Sequence, residues 1–260
     1  MNLDSAIDYN RKTFKQLNKL YHYTTIDTLD KILESKALRF NRNDKLNDML
    51  EHSRSLDAGF DYYVSCFTHN EKESIPLWFM YAQKMGVRIA FNSKNLFKNK
   101  LYFFHKGEKK YFSYEVRGYD GNTPTYNNIY EIGGTTIEIG EPLATKVIYD
   151  DEILELKHTQ KYGGGSIHIS MTNVYQLAAI KGTAWSYECE YRYFLLSNGH
   201  YKFIDSVFVE LTNEIFDDFE IIFSPFYSEF DLISLQNELR DKYPYIKFNF
   251  VKSDLQGKIQ

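Results

Sequence analysis

Twenty-two tyrosines, twenty phenylalanines and two tryptophans make aromatic residues 17% of this chain. Each carries a large flat body into whatever it packs against, and each Tyr adds a polar tip that needs a hydrogen-bond partner when covered. Such side chains fit a pleated surface, so the first constraint is a β-rich interior built from rings. The functional alternative is a cleft that stacks planar rings such as bases or nicotinamide. The remaining composition, 43% hydrophobic and 25% charged, is that of a globular chain. No Pro-, Ser- or Gly-rich linker interrupts the 260 residues, which read as one domain over 1–260: an N-terminal helix over 1–19, then the body over 20–255. The longest apolar run, Leu77 to Ala82, is far too short to cross a bilayer. The polar N-terminus (Asp4, Asp8, Arg11, Lys12) is unlike a secretory signal. Cys66 and Cys189 are the only cysteines, which excludes a disulfide framework and fits a cytoplasmic location. A net charge of −4 argues against bulk electrostatic capture of nucleic acid, although it leaves room for a local basic groove.

Periodicity predicts the elements. Ile7, Phe14, Leu17 and Leu20 suggest a helix over 4–19, and Leu20 to Thr24 a short aromatic strand. Thr24-x-x-Asp27 resembles a capping box for a helix through Ile26, Leu29, Ile32 and Leu33. Residues 39–58 read as a loop followed by a helix from Met49 to Leu56. Tyr62 to Phe67 follows as a strand, then a helix from Ser74 to Met85 ended by Gly86, then a strand from Val87 to Phe91. Residues 100–170 look β-rich and weakly periodic, with loops at Gly133-Gly134 and Gly163 to Gly165. A helix is expected over 172–182, strands at Glu190 to Leu196, Val207 to Leu211 and Ile221 to Phe223, a Ser228-capped helix to Tyr243, and a closing strand carrying Ile246, Phe248 and Phe250. Strands in the middle with helices at both ends give an α+β class, mostly antiparallel.

Several chemistries are missing their motifs. The seven histidines form no i, i+4 pair and no Cys-x-x-Cys occurs, so no metal site is expected. There is no G-x-S-x-G elbow, no G-x-G-x-x-G after a strand, and no phosphate-loop context around the triple Gly. Three features remain. His22 lies in Tyr21-His22-Tyr23-Thr24, on a strand that runs into a helix start, where Thr24 meets outward-pointing N–H groups. The second is the helix with Trp78 and Tyr81, followed by the Gly86 strand. In the third, Glu188, Glu190 and Arg192 alternate, which would place all three on one face of an extended segment. Each has an ordinary structural reading: a satisfied sheet histidine, a core helix, and a solvated face with a Glu–Arg pair.

Together, in this order, the three features resemble the ADP-ribosyltransferase superfamily, the toxin-like and poly-ADP-ribose-polymerase-like enzymes that use NAD. His22-Tyr23-Thr24 resembles its opening strand. Ser74, Tyr81 and the strand from Gly86 resemble its middle, and Glu188-Cys189-Glu190-Tyr191 its closing Glu-x-Glu and Glu-Tyr signature. The chain is also similar, over about residues 20–255, to an uncharacterised bacterial family, domain of unknown function twenty-nine seventy-one. That likeness rests on His22-Tyr23-Thr24, Asn47-Asp48, Ser65-Cys66-Phe67, the helix with Trp78, Tyr81 and Ala82, and the spacing of Lys181, Trp185, Glu188, Glu190 and Arg192. The Pro that usually follows the family's Asn-Asp is replaced here by Met49.

The resemblance implies a split, mostly antiparallel β core and an NAD-consuming transferase, in a setting such as a toxin or anti-phage effector. Glu190 would be the catalytic carboxylate that bonds the ribose 2′-OH as positive charge develops on the sugar. Glu188 would activate the acceptor, a protein side chain or nucleic acid. His22 would donate to the adenosine ribose and set the pose, Tyr23 would meet the carboxamide through its backbone, and Tyr81 would stack on the nicotinamide. Thr24 would bond a ribose or phosphate oxygen, and Arg192 would tie the strand or meet a phosphate. A non-catalytic NAD or ADP-ribose sensor and an NAD glycohydrolase are the alternatives.

Overall fold

A computed structural model describes residues 17–48, 61–120, 123–152 and 178–259. Its centre is an eleven-stranded sheet. Strand β1 (Lys19–Thr24) leads into helix α1 (Ile26–Ser35) and then β2 (Ala37–Arg42). The cap of α1 is Thr25 rather than the expected Thr24: the Thr25 hydroxyl accepts from the Thr28 amide at 3.2 Å, while Thr24 closes β1 and is buried. The apolar face of α1 (Leu29, Ile32, Leu33) packs into the core as its spacing predicts. The loop expected from residue 39 is instead the second half of β2, in which Leu38 and Phe40 face the core and Arg39 faces out. The helix expected over Met49 to Leu56 lies outside the described residues.

Strand β3 (Tyr62–Thr68) is followed by α2 (Ile75–Met80) and β4 (Val87–Asn92). α2 is a turn and a half shorter than expected. Its chain turns back at Gln83 and Lys84, both in the left-handed region, and the Lys84 amide donates to the Trp78 carbonyl at 2.8 Å. Gly86 therefore does not stop the helix. It lets the chain pass Thr24 closely, since a Cβ at Gly86 would lie 2.2 Å from the Thr24 carbonyl oxygen. Strands β5 (Phe97–His105), β6 (Glu108–Tyr111), β7 (Ser113–Asp120), β8 (Thr123–Ile132), β9 (Thr135–Ile139), β10 (Leu143–Lys146) and β11 (Ile148–Tyr149) bear out the β reading of 100–170 as far as Tyr149, and 153–170 lie outside the described residues. Gly133 and Gly134 make the β8–β9 turn with positive φ. Gly163 to Gly165 lie outside the described residues.

Of the helix expected over 172–182, Ala178 and Ala179 are helical as read, whereas Ile180–Lys181 form strand β12, parallel to β11, and 172–177 lie outside the described residues. Strands β13 (Glu190–Leu196), β14 (Ser206–Leu211) and β15 (Phe219–Phe223), helix α3 (Glu229–Lys242) and strand β16 (Phe248–Val251) complete the chain. Ser228 caps α3 as read, accepting from the Asp231 amide. Of the helix expected over 4–19, residues 17–19 are described, and none of them is helical, with Lys19 already in β1.

The main sheet runs β16-β15-β4-β1-β3-β2-β14-β5-β6, with β13 and β10 on the other edge of β3. All its pairings are antiparallel except β15 with β16. Mixed α+β with mostly antiparallel strands is therefore the observed class. The core is the ring-rich interior that composition requires: Phe67, Phe91, Phe219 and Tyr193 meet edge to face at centroid distances of 5.6–6.0 Å. Trp78 is fully buried beneath Tyr23, and Trp185 is half-buried. No helix among the described residues is long and apolar enough to cross a membrane.

Candidate functional site

The cavity exists because β3 changes partners along one edge. Near its start β3 pairs with β2, Tyr63 opposite Arg42 and Val64 opposite Asn41; at its end it pairs with β1, Thr68 opposite Tyr21. Between these points Ser65, Cys66 and Phe67 have no strand partner on that edge among the described residues. The sheet forks there. A polar backbone left open inside a fold is costly unless satisfied. At Cys66 the His22 side chain does this, with Nδ1 donating to the carbonyl at 2.9 Å.

A cavity of about 370 Å³ occupies the fork. β1 contributes Tyr21, His22 and Tyr23; β2 contributes Arg39 and Asn41; β3 contributes Val64 to Thr68; α2 and the turn after it contribute Leu77, Met80 and Tyr81. The far wall is charged: Lys181, Glu188, Glu190 and Arg192. Six of the seven residues expected to carry function therefore line one space. Thr24 does not.

The charged wall has a specific construction. β13 pairs with β3 so that Glu190 lies opposite Thr68 and Arg192 opposite Cys66, which puts both on the cavity face and sends Tyr191 into the core. Glu188 does not continue this strand. It ends a 3₁₀ turn (Thr183–Glu188), and Cys189, at φ 44°, reverses the chain before β13 begins. The expected alternation of three residues along one extended segment is thus incorrect, as is the solvated face: Glu188, Glu190 and Arg192 are all at least 95% buried. Lys181 on β12 joins them, its Nζ 2.6 Å from Glu188 Oε2 and 3.2 Å from Glu190 Oε2. Arg192 grips Glu190 with both ends of its fork, at 2.8 and 2.9 Å. Tyr149 accepts from the Glu190 amide at 2.8 Å. Tyr81 donates to the other Glu188 oxygen at 2.5 Å.

Environment separates the two carboxylates. Burial pushes the Glu190 carboxyl up, but Arg192 and Lys181 outweigh it and hold the group well below the ordinary range. Glu188 is raised by burial and by the neighbouring Glu190 charge, against Lys181. One carboxylate stays ionised; its neighbour is set to exchange a proton nearer neutrality. Burial drives the Cys66 thiol well up and the His22 imidazole down. A neutral His22 whose Nδ1 proton is spent on Cys66 presents a lone pair at Nε2. Nε2 is therefore the acceptor that this side chain can offer. The Tyr23 ring stands edge-on to Trp78 at 4.8 Å, and its hydroxyl accepts from the Ser74 amide. The Tyr21 ring lies under the Arg88 guanidinium at 3.6 Å.

Two participants were missed in the sequence. Lys181 was legible as the first residue of the Lys…Trp…Glu-x-Glu-x-Arg spacing but was given no role. Arg39 left only one signal, a cation alternating with Leu38 and Phe40.

Residues 77–193 match the model of a family described as protein of unknown function (DUF2971). That stretch holds Trp78, Tyr81 and the Lys181 to Arg192 spacing, while His22-Tyr23-Thr24 and Ser65-Cys66-Phe67 precede it. Neither the curated proteins nor the solved structures give a match.

Proposed function

We propose that this protein cleaves the nicotinamide–ribose bond of NAD and transfers ADP-ribose to an acceptor. The observation that carries the reading is the forked sheet. It gathers His22, Tyr81 and two carboxylates of divergent proton affinity around one cavity. In the reaction the C–N bond breaks with its electron pair leaving on nicotinamide, and the ribose acquires oxocarbenium character. In this reading the ionised Glu190 holds the 2′-OH, a charge-assisted bond worth about 1.5–3 kcal/mol. The acceptor then bonds to the ribose carbon, and its proton passes to Glu188, the carboxylate whose affinity for one is raised. His22 Nε2 accepts from a ribose hydroxyl, and the Tyr81 ring, fixed through its own hydroxyl, offers a stacking surface.

A second reading has its own support. Both Glu190 oxygens are already engaged by Arg192 and Lys181, as in a structural ion network, and that suits a module that binds NAD or ADP-ribose without cleaving it. Incubating the purified protein with NAD and following nicotinamide release separates the two. Under the transferase reading Glu190→Gln lowers turnover by roughly 10²–10⁴-fold with little change in NAD affinity. Glu188→Gln spares release into water and depresses transfer. Tight NAD binding with no nicotinamide released would leave the sensor. Release that no acceptor accelerates would make the protein a glycohydrolase.

A further inference from the structure

Arg39, a cavity residue on β2, begins a row of side chains that carries on into a different surface. It lies opposite Phe208 on β14, Phe208 lies opposite Tyr102 on β5, and Tyr102 lies opposite Tyr111 on β6. Directly paired residues share a face, so a cation and three rings form one row across four strands. At the usual strand spacing it is about 15 Å long. The rings are in contact: Phe208 stacks on Tyr102 at 5.0 Å and 3°, and Tyr111 lies 5.5 Å from Tyr102. Phe104, 50% exposed, stands edge-on to Phe208 at 5.5 Å, and Tyr111 is 44% exposed. Cations are interleaved. Lys109 lies 3.7 Å over Tyr102 and 4.9 Å from Tyr111; Lys100, also 4.9 Å from Tyr111, is paired with Glu210. The opposite faces of the same strands (Leu38, Phe40, Leu101, Phe103, Val207, Val209) fill the core; within the row Tyr102 is itself buried between Phe208 and Lys109, so the rings open to a ligand are Phe104, Tyr111 and, in part, Phe208.

We infer that this face seats a single-stranded nucleic acid whose strand runs along the row to Arg39 and into the cavity. Ring faces alternating with cations suit a polymer that offers stacking bases and a negative backbone in the same stride, and they do so without reading sequence. A protein partner would use the rings but not the interleaved cations. An acidic peptide would use the cations but leave the rings bare. That the bound strand is also the acceptor rests on the transferase reading. In that step a base nitrogen or oxygen bonds to the ribose carbon as the bond to nicotinamide breaks, and the proton released goes to Glu188.

The test is fluorescence anisotropy with labelled twelve-residue oligo-dT and oligo-dA, against a duplex of the same length, at 50 and 200 mM salt. Single strands should bind more tightly than duplex, and with about two phosphates neutralised, by Arg39 and Lys109, the affinity should fall with a log–log slope of about −1.4. Phe104→Ala and Lys109→Ala, both outside the cavity, should each weaken single-strand binding at least about fivefold. Neither should alter nicotinamide release from NAD in the absence of oligonucleotide. Failure to bind, equal binding of duplex, loss of the oligonucleotide to an equal charge of polyglutamate, or self-association abolished by Phe104→Ala would each overturn the seat. Oligonucleotide binding without NAD cleavage would keep the seat and remove the transferase. Cleavage with binding but no label transferred from NAD to the oligonucleotide would remove the acceptor role alone.

Discussion

Replacing Glu190 by Gln removes one charge from a buried set of four. In the native wall Lys181 and Arg192 are balanced by Glu188 and Glu190, with every partner distance between 2.6 and 3.2 Å. The variant leaves two cations facing one carboxylate and turns an amide toward the Arg192 fork, at a site only 4% exposed. Removing one member of a buried pair costs about 3–5 kcal/mol, because the other charge stays behind without compensation. In a chain of this size each kcal/mol lowers Tm by about 2–4 °C, so the expected fall is about 6–20 °C. Adding Arg192→Met restores the balance of charge, one cation to one anion, with a side chain of similar length. The double variant should therefore be more stable than Glu190→Gln alone, with a coupling of at least about 2 kcal/mol. Urea unfolding at pH 7, followed by fluorescence with the m-value checked for constancy, measures all four corners of the cycle. A Glu190→Gln loss below about 0.5 kcal/mol, or losses that simply add, would refute the balanced buried wall. The result also sets the temperature at which the kinetic comparison in Glu190→Gln is meaningful, because an assay close to the lowered midpoint would read unfolding as catalysis.

Other outcomes follow from single positions. Gly86→Ala should cost about 1–3 kcal/mol, because the new methyl meets the backbone carbonyls of Thr24 and Ala82 rather than a side chain that can turn away; an unchanged melting curve would show that β1 and β4 are not held so close. Trp78→Ala, which empties a fully buried site, should cost about 3–5 kcal/mol by the same measurement, and no loss would contradict its place under Tyr23. Burial keeps His22 neutral in the fold while the unfolded chain binds a proton near pH 6.5. The stability it supplies is complete above that pH and is lost as pH falls toward the depressed folded value, so His22→Gln should flatten the decline of Tm between pH 7 and 5. Parallel Tm–pH curves for the two proteins would mean that His22 is freely solvated.

What the sequence disclosed and what it hid divide along one physical line. Signals carried by neighbours in the chain were readable. The apolar faces of α1 and α3, the Ser228 cap, and the strand character of β4 and β13 all depend on local periodicity or local hydrogen bonds. The errors arose where a distant part of the fold decided. Thr24 and Thr25 are equivalent capping candidates until β1 is registered against β4, which takes Thr24 into the strand. Ile180 and Lys181 look helical until β11 supplies a parallel partner. β2 was hidden by its polar end, Asn41 and Arg42, which is tolerable because Arg42 is clamped by Asp44 and by the carbonyls of Tyr201 and Ile204. In the site, the residue types were legible and their burial was not. A Glu-x-Glu-x-Arg run written on paper looks like an ordinary surface pair, and only Lys181, brought in from another strand, makes its enclosure affordable.

The fork has a consequence for how this cavity can be altered. β1 and β2 run in the same direction along β3, and each is also paired on its far side, β1 with β4 and β2 with β14. The segment between them is the remaining constraint on their separation. α1, ten residues and about 15 Å long, is anchored behind the sheet by Leu29, Ile32 and Leu33 and works as a spreader bar. The width of the opening is thus written in a helix that contributes no atom to the cavity lining. Trimming Leu33, or shortening α1 by a turn, would resize the aperture while leaving every lining side chain as it is. Substrate size in this architecture can be tuned from the back of the molecule.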